Sequence, residues 1–345
     1  MGDGELRKKS PWTDFHGRLH GLLRRRPLLL ERSAGIVVAV SGGQDSVALG
    51  RLLADLSPHW GWRLTIAHCD HGWRVDSAAN GAAVVDLART WQLPVVVRRA
   101  DGAIARTEAA ARAWRYGELL AIAQETGSAI VVTGHTASDR AETLLFNLVR
   151  GSGGDGLGAL GWRRSLGPGV DLVRPLLEFV RADTAACCAQ LGLPIWEDST
   201  NQDRRYRRNR LRLEVLPLLR SQFNPQVDRA LARTADLLRE DGDCLEAIAA
   251  QLLNQARVDD LGFPAIARQP LAIAHPALQR RALRQWLWEQ LGGKMPNRDR
   301  VEALRFLLTA PNRHRTDPFP CGAIAQVSGP HILWIAPESS PESTP

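Results

Sequence analysis

The sequence is poor in the features that mark metal centres, disulfide frameworks and membrane spans. Its five cysteines include no C-x-x-C pair, so neither a zinc site nor a disulfide framework is predicted, and a reducing cytoplasm is favoured. No apolar run approaches the length of a membrane span, and the three leucines that follow Arg24–Arg26 are too few for a signal peptide. These shortages predict a soluble, cytoplasmic protein without a membrane partner.

Lysine is almost missing as well. Lys8, Lys9 and Lys294 are the only lysines, so arginine supplies nearly all of the positive charge. The formal net charge is +7 and the pI is near 9.7, a balance that favours a polyanionic partner. With 345 residues, of which 44% are hydrophobic and 23% charged, the chain is long enough for two domains with ordinary cores.

The most informative segment is Ser41-Gly42-Gly43-Gln44-Asp45-Ser46, which lies between an apolar run at 34–40 and leucines at helical spacing. In such a strand–helix turn, backbone N–H groups and the helix N-terminus can bind a phosphate. Asp45 can then reach a magnesium ion held by that phosphate. An ordinary glycine-rich turn is the plainer alternative.

This loop has no P-loop lysine and does not match the Walker sequence. It resembles the pyrophosphate loop (PP-loop) of ATP pyrophosphatases, which split ATP between its α and β phosphates and adenylate a substrate. The resemblance implies that the protein uses ATP to adenylate a substrate. The identity of that substrate has to be inferred from the rest of the chain.

Strand-like runs alternate with helical patterns from about residue 33 to 200. Strands are predicted at 34–40, 63–68, 94–98, 129–133 and 172–177, and helices near 46–56, 76–92, 108–126, 138–150 and 181–191. Successive βα units predict an α/β fold with a doubly wound, mostly parallel, Rossmann-like sheet. Ligands of such sheets bind at the carboxyl ends of the strands.

The chain is predicted to divide into two domains with loose ends. The glycine-rich stretch 151–169 is expected to be a flexible crossing within the first domain. The second domain is expected to be smaller and mainly helical, with helices near 226–256, 275–291 and 297–309 and a hairpin at 323–335. The predicted limits are a flexible N-terminus at 1–15, an ATP-binding catalytic domain at 16–215, a helical domain at 216–336 and a disordered tail at 337–345.

Two groups of polar residues follow predicted strands. His68, Asp70 and His71 end the second strand, at the edge where a nucleotide would lie, although satisfied structural histidines are the alternative. Asp139 and Glu142 fall on one face of the helix after the fourth strand, where two carboxylates could hold magnesium or receive an incoming amine. Acidic residues in a first helical turn are also ordinary partners of the helix dipole.

Arginine supplies two further candidate groups. Arg112 and Arg115 share a helix face with Glu108, and an arginine aimed at a phosphate would stabilise charge on departing pyrophosphate; exposed ion pairs are the alternative. Arginines also surround Tyr206, a composition that suits RNA phosphates and unstacked bases but also fits a solvated run of charge. The candidates for RNA contact are Arg204, Arg205, Arg207, Arg208 and Arg210.

Over about residues 33–215 these segments together resemble tRNA(Ile)-lysidine synthases. The resemblance rests on the segments 41–46, 68–74, 108–116, 134–143, Arg174-Pro175-Leu176-Leu177 and 196–210. The Trp-x-Asp-x-x-Asn-x-Asp sequence that begins at Trp196, followed by Arg-Asn-Arg, is the most specific of these. The helical region after residue 215 is similar only in general character, and the domain at 216–336 is expected to recognise the tRNA.

The resemblance implies a two-step reaction on the wobble cytidine (position 34) of the CAU anticodon of isoleucine tRNA. ATP adenylates the C2 oxygen of the cytosine and pyrophosphate leaves; the ε-amine of free L-lysine then attacks C2 and expels AMP. The product, lysidine, changes codon specificity from AUG to AUA. The resemblance also implies Mg²⁺, a homodimer, ATP contacts at Ser41–Ser46, His68, Asp70 and His71, and catalytic roles for Asp45, Arg112, Asp139 and Glu142.

One segment departs from the family pattern. His135-Thr136-Ala137-Ser138-Asp139-Arg140 stands where members usually have His-His-x-Asp-Asp-Gln. Because Asp139 and Glu142 are retained, lysidine formation stays the prediction. A PP-loop tRNA 2-thiolation enzyme, which would need cysteines to deliver sulfur, and a non-catalytic RNA-binding protein remain the alternatives.

Overall fold

The computed structural model of the chain describes residues 12–73, 76–100, 107–158, 160–196, 204–205, 207–259 and 261–337. Internal contacts divide the chain into two compact units, Met1–Arg239 and Glu240–Pro345. The predicted limits near residues 15, 215 and 337 stay predictions, and most of the two predicted loose ends lies outside the described residues.

The first unit is built on a six-stranded sheet. Its strands are β1 (Gly35–Ala39), β2 (Arg63–Asp70), β3 (Val95–Arg99), β4 (Ile130–Thr133), β5 (Arg163–Gly167) and β6 (Val170–Val173). Their order is β3-β2-β1-β4-β6-β5, and β5 is the one strand of this sheet that runs antiparallel to its neighbour. The doubly wound, mostly parallel sheet is thereby confirmed. The strand order reverses between β1 and β4, which opens a crevice at their carboxyl ends.

Helices cover both faces of this sheet. They are α1 (Asp14–Arg25), α2 (Gln44–Trp60), α3 (Ser77–Thr90), α4 (Glu108–Glu125), α5 (Ala137–Val149), α6 (Gly154–Leu157), α7 (Arg181–Gln190), α8 (Arg207–Arg210) and α9 (Leu216–Gln222), with a π-helical turn (Leu211–Val215) between the last two. Alternate residues of a strand point to opposite faces. Ile36 and Val38 therefore join one buried cluster, with α1, α2, α3 and α7, while Val37 joins another with α4.

The stretch 151–169 differs from the expected flexible crossing. It contains α6 and β5, and β5 pairs with β6 to form an edge of the sheet. The turn between them includes Gly169, whose φ of +69° few other residues adopt readily. Strand β6 covers Val170–Val173 rather than 172–177, because Pro175 has no N–H to donate to a neighbouring strand.

The second unit has its own core. Helix α10 (Val227–Ala256) contributes residues to both units, and the second adds β7 (Arg257–Val258), β8 (Ala265–Ala267), α11 (Arg268–Ala272), α12 (Pro276–Gln290), α13 (Arg298–Phe306), β9 (Ile324–Ser328) and β10 (His331–Ile335). The four strands form an antiparallel sheet in the order β7-β8-β10-β9. Leu283, Trp286, Leu304 and Ile332 lie in its fully buried core. The predicted hairpin is confirmed, whereas β7 and β8 are too short to show a periodicity.

Among the described residues, no helix combines the length and the hydropathy that a membrane crossing requires.

Candidate active site

The loop Ser41–Ser46 follows β1 and opens α2, beside the crevice between β1 and β4. Gly43 is the N-cap of α2 and has no side chain to accept from the N–H groups of the first turn. By contrast, the Thr136 hydroxyl caps α5 by accepting from the Asp139 N–H. The uncapped N–H groups of α2 and its helix dipole favour an anion at this position.

Two positions in this region need glycine. Gly42 has a φ of +90°, and a Cβ there would lie 2.2 Å from Asn80 Oδ1. A Cβ at Gly134 would lie 2.8 Å from the carbonyl carbon and oxygen of Asp45. The segment after β4 can therefore contact the first turn of α2 only because residue 134 is glycine.

Hydroxyl and amide groups fix the shape of the loop. The Ser46 hydroxyl donates to the Gly43 carbonyl at 2.8 Å and accepts from the Ser41 N–H at 3.1 Å. Asn80 of α3 donates from Nδ2 to the Ser41 carbonyl at 3.0 Å. The loop is thus held in one conformation from within and from a neighbouring helix.

Helix α7 holds the charged end of the loop. The Asp45 carboxylate accepts a hydrogen bond from the Thr184 hydroxyl and lies 4.0 Å from Arg181 Nε. Gln44 donates from Nε2 to the Arg181 carbonyl at 2.8 Å and to Thr184 Oγ1 at 3.1 Å. Sequence reasoning missed Arg181 and Thr184, since no local pattern connects residues so far apart in the chain.

The electrostatics of Asp45 suit a cation ligand. Burial, and then the Asp139 carboxylate, raise the pKa of Asp45, so its charged form is poorly stabilised by the protein alone. Within the described residues, no group of three or more His, Cys, Asp or Glu side chains is placed to hold a metal ion. A magnesium ion here would therefore need phosphate oxygens in addition to Asp45.

The polar residues at the end of β2 make contacts inside the protein. His68 is buried, and its Nδ1 lies 2.9 Å from the Val40 carbonyl. Asp70 accepts at 2.8 Å from the backbone N–H two residues further on. The ring of His71 packs against Trp73, with centroids 4.5 Å apart. The plainer interpretation, that His68 is a satisfied structural histidine, accounts for its contacts.

Asp139 and Glu142 share one face of α5, and an arginine meets both. Glu142 is 1% exposed and forms a bidentate ion pair with Arg212, with Nε–Oε1 and Nη2–Oε2 distances of 2.6 and 2.9 Å. Arg212 Nη2 also lies 3.7 Å from Asp139 Oδ1. The other oxygen of Asp139 accepts from the Thr136 N–H and hydroxyl, both at 2.8 Å.

The charge states at this position follow from these contacts. Burial alone would raise the pKa of Asp139, but His135, the two Thr136 donors and Arg212 lower it. Burial lowers the pKa of His135 to about 3, so this imidazole is neutral at pH 7. Its Nδ1 lies 2.8 Å from the Thr133 hydroxyl. The site therefore presents an ionised carboxylate beside a neutral histidine.

Arg140, which departs from the family pattern, has a structural role. It is 2% exposed, and its Nε and Nη2 donate to the Leu160 carbonyl at 3.1 and 2.8 Å. Its Nη1 lies 3.2 Å from Asp236 Oδ1 on α10. Arg140 thus binds α5 to α10, and its charge is compensated away from Asp139 and Glu142.

The arginines predicted to contact RNA lie in two environments. Arg208 turns inward, where it donates to Thr143 Oγ1 at 3.2 Å and lies 3.5 Å from Glu142. The others are exposed: Arg204, Arg205, Arg207 and Arg210. In the preceding signature, Trp196 donates its backbone N–H to the Gly42 carbonyl at 3.0 Å. Residues 197–203, Tyr206 and Arg74 lie outside the described residues.

Arg112 and Arg115 lie against Tyr116, with guanidinium carbons 5.0 and 5.6 Å from the ring centroid. Neither forms an ion pair with Glu108 in the described part of the chain; Glu108 instead lies 3.9 Å from Arg208. The described contacts therefore do not match a stripe of exposed ion pairs.

Sheet order, loop and crevice together define a PP-loop protein. The family described as the PP-loop domain matches residues 13–219, and the TilS substrate binding domain matches residues 267–327. Among solved structures, the U34-tRNA thiolase NcsA from Methanococcus maripaludis, with its [4Fe-4S] cluster, is similar with a TM-score of 0.55 and 15% identity, over 66% of this chain and 78% of that one. This likeness concerns the fold alone.

Sequence relatives narrow the class further. A tRNA(Ile)-lysidine synthase of Nostoc sp. is 50% identical over 334 residues, which cover 93% of this chain and 97% of the relative. One of Synechococcus sp. is 53% identical over 318 residues, covering 92% and 95%. The chain belongs to the tRNA(Ile)-lysidine synthase family.

Proposed function

We propose that this protein converts the wobble cytidine of the CAU anticodon of isoleucine tRNA to lysidine. ATP adenylates the C2 oxygen of the cytosine, and free L-lysine then displaces AMP from C2. The observation that supports this most is the placement of Asp45, on a glycine loop built for phosphate, close enough to Asp139 for the two carboxylates to interact. A nucleotide and an amine would therefore meet at one crevice.

ATP phosphates would lie on the uncapped N–H groups at the start of α2. Asp45 would help to hold Mg²⁺, whose chemistry at this position would be to stabilise negative charge on the departing pyrophosphate. Arg112 is proposed to add positive charge to the same group, since an ionised donor strengthens hydrogen bonds to phosphate. The loop residues Ser41–Ser46 hold this arrangement through the contacts of Ser46 and Gln44.

Free lysine must lose a proton before it can attack. The ordinary pKa of its ε-amine is about 10.4, so roughly 0.1% or less of this amine is neutral at pH 7. We assign Asp139 and Glu142 to hold this amine, because both carboxylates already face a cation, Arg212. Asp139→Ala and Glu142→Ala should raise the KM for lysine or abolish transfer. Unchanged lysine kinetics in both variants would refute the assignment.

Binding of RNA beside this site is assigned to the exposed arginines and to the helical domain at 216–336. Arg204, Arg205, Arg207 and Arg210 are exposed enough to meet a phosphate backbone, in keeping with the net charge of +7. We further propose a cytoplasmic location and a homodimer. Light scattering would test the homodimer by measuring the molar mass in solution.

The thiolation alternative fits the cysteines poorly. Burial raises the pKa of Cys69 to about 12 and that of Cys188 to about 12. A thiol delivers sulfur as its thiolate, so the partly buried Cys69 and the buried Cys188 are poorly suited to that chemistry. Pyrophosphate release that depends on isoleucine tRNA with an unmodified CAU anticodon tests the first step. Absence of this release would leave the RNA-binding alternative.

A further inference from the structure

Three arginines surround a single buried tyrosine on the α4 side of the sheet. Tyr116 is 9% exposed, and Arg112, Arg115 and Arg164 place their guanidinium carbons 5.0, 5.6 and 4.9 Å from its ring centroid. Arg112 and Arg115 come from α4 itself, whereas Arg164 comes from the edge strand β5. Residues distant in the chain thus converge on one ring.

A fourth arginine lies beneath them. Arg174 is 2% exposed, and its Nη1 donates to the Gly161 carbonyl at 2.6 Å. Arg174 also lies close enough to the Tyr116 hydroxyl to interact with it as a hydrogen-bond donor, although neither Arg174 Nε nor that hydroxyl makes a hydrogen bond of good geometry. A phenolic hydroxyl that accepts from a guanidinium still has its own O–H to donate, and no acceptor for that O–H is found among the described residues.

The backbone fixes this arrangement. Val170, Leu172 and Arg174 alternate along β6 and its end and therefore point to the same face, and Arg164 is the cross-strand partner of Leu172. Helix α4 packs closely on β5, since a Cβ at Gly167 would lie 2.5 Å from Leu120 Cδ2. The arginines are therefore brought together by the pairing of β5 with β6 and by the packing of α4 on this edge of the sheet, and not by a loop.

The charges of this group are not balanced. Within the part of the chain that the structure describes, no carboxylate lies within 4.0 Å of any of the four guanidinium groups. Burial alone would raise the pKa of Tyr116, but the four arginines lower it. Four like charges around a low-dielectric site repel one another unless an anion joins them.

We propose that Arg112, Arg115, Tyr116, Arg164 and Arg174, named here the Tyr116 site, bind a phosphoryl group. Planar guanidinium groups suit phosphate oxygens, and the Tyr116 hydroxyl supplies a further donor. The inference rests on the proposed function for the source of the phosphate, which is either the tRNA backbone or the ATP phosphates. It assigns to Arg164, Arg174 and Tyr116 a binding role in addition to Arg112.

The Tyr116 site adjoins the crevice. Arg174, Arg112 and Arg115 are near enough to His135 to lower its pKa, and His135 lies beside Asp139. Arg115 and Arg164 are exposed, which leaves the site open to a long polyanion. A backbone phosphate bound here would hold tRNA next to the carboxylates of α5.

The test compares Arg164→Gln and Tyr116→Phe with Arg89→Gln. Arg164 is exposed and Tyr116→Phe keeps the ring, so both variants should fold. Arg89 is an exposed arginine of α3 that pairs only with Asp86 among the described residues, so its variant matches the change in net charge. Each protein is titrated with tRNA over a range of salt concentrations and, separately, with pyrophosphate.

If the tRNA backbone is the ligand, Arg164→Gln should weaken tRNA binding about fivefold and reduce the slope of log affinity against log salt by about 0.7. If the ATP phosphates are the ligand, pyrophosphate binding should weaken about fivefold instead. Tyr116→Phe should weaken binding of the same ligand about threefold, and Arg89→Gln should change the binding of neither ligand. The proposed site would be overturned if Arg164→Gln and Tyr116→Phe bound both ligands as tightly as the wild type does. It would also be overturned if Arg89→Gln lost as much affinity as these two variants.

These readouts do not depend on lysidine formation. A wild-type protein that forms lysidine, with variants that bind both ligands normally, would refute the Tyr116 site alone. Weakened binding in the variants, with a wild-type protein that forms no lysidine, would support the site and refute the proposed function.

Discussion

Two groups of arginines in the first unit have opposite surroundings. Arg208 and Arg212 face Glu142, which is 1% exposed, and Arg212 also approaches Asp139. Here positive and negative charges are matched, and removing one partner would leave a buried charge alone. Loss of either partner would therefore destabilise the fold.

The Tyr116 site is the unmatched group. Its four guanidinium groups have no carboxylate partner within 4.0 Å in the described part of the chain. Removing one of them relieves repulsion and leaves no opposite charge behind. The comparison shows that the role of an arginine depends on whether an acid faces it. An arginine paired with a buried acid cannot be removed without loss of stability, whereas an arginine without such a partner is available to bind an anion.

The largest effect is expected at Asp45, a carboxylate whose contact with Arg181 is as long as 4.0 Å. Asp45→Asn should reduce tRNA-dependent pyrophosphate release about a thousandfold, because it removes the proposed magnesium ligand. At pH 7 the variant should nevertheless melt about 2 °C higher without nucleotide, because no charge is buried. Rate assays and thermal melts measure both changes.

The pH dependence of this gain follows from the raised pKa of Asp45. Below the ordinary aspartate pKa of about 3.9 the wild-type carboxyl is protonated, so the two proteins should differ least there. As pH rises through the raised pKa, the wild type ionises and the variant gains its advantage. A variant less stable than wild type at pH 7 would contradict the assigned electrostatics.

The matched group is tested by Glu142→Gln. This change leaves Arg212 without its buried partner and should lower the free energy of unfolding by about 3 kcal/mol. Glu214→Gln is the control, since Glu214 pairs with Arg210 at the surface and should cost less than about 0.5 kcal/mol. Urea denaturation measures both values, and similar losses in the two variants would remove the distinction.

The sharpest contrast is between Arg212→Gln and Arg112→Gln. Arg212→Gln should destabilise the protein by about 3 kcal/mol, whereas Arg112→Gln should leave its stability unchanged within about 0.5 kcal/mol. Arg112→Gln should still slow pyrophosphate release about a hundredfold. Equal destabilisation by the two variants, measured by thermal melts, would show that the groups do not differ.

The smallest effect is expected for the exposed arginines. Replacing Arg207 and Arg210 by glutamine should make the salt dependence of tRNA binding shallower by about 1.4 units, through loss of two phosphate contacts. Arg208→Gln, which affects an inward-facing residue, should change the slope little. Filter binding at several salt concentrations distinguishes these cases, and a larger change from Arg208→Gln would reverse our assignment.

Local sequence patterns predicted the framework of this site. The apolar run before Ser41 and the helical spacing after Ser46 defined the strand, loop and helix, and the i, i+3 spacing placed Asp139 and Glu142 on one face. These features depend on neighbours within a few residues. Such features can therefore be predicted from the sequence alone.

Long-range contacts were not predictable in the same way. Thr184 reaches Asp45 across 139 residues, and Arg212 reaches Glu142 across 70. A run of arginines does not show which of them turn inward, because that depends on carboxylates elsewhere in the fold. Strand β5 is also short and ends in a glycine, so α4 and β6 determine its conformation more than its own sequence does.

The most direct test of the account supplies the protein with ATP, Mg²⁺, labelled L-lysine and isoleucine tRNA that has a CAU anticodon. Methionine tRNA with the same anticodon is the control. The account predicts label in the isoleucine tRNA alone, with one AMP released for each lysine added. Label in neither tRNA, with or without pyrophosphate release, would contradict lysidine formation by this protein.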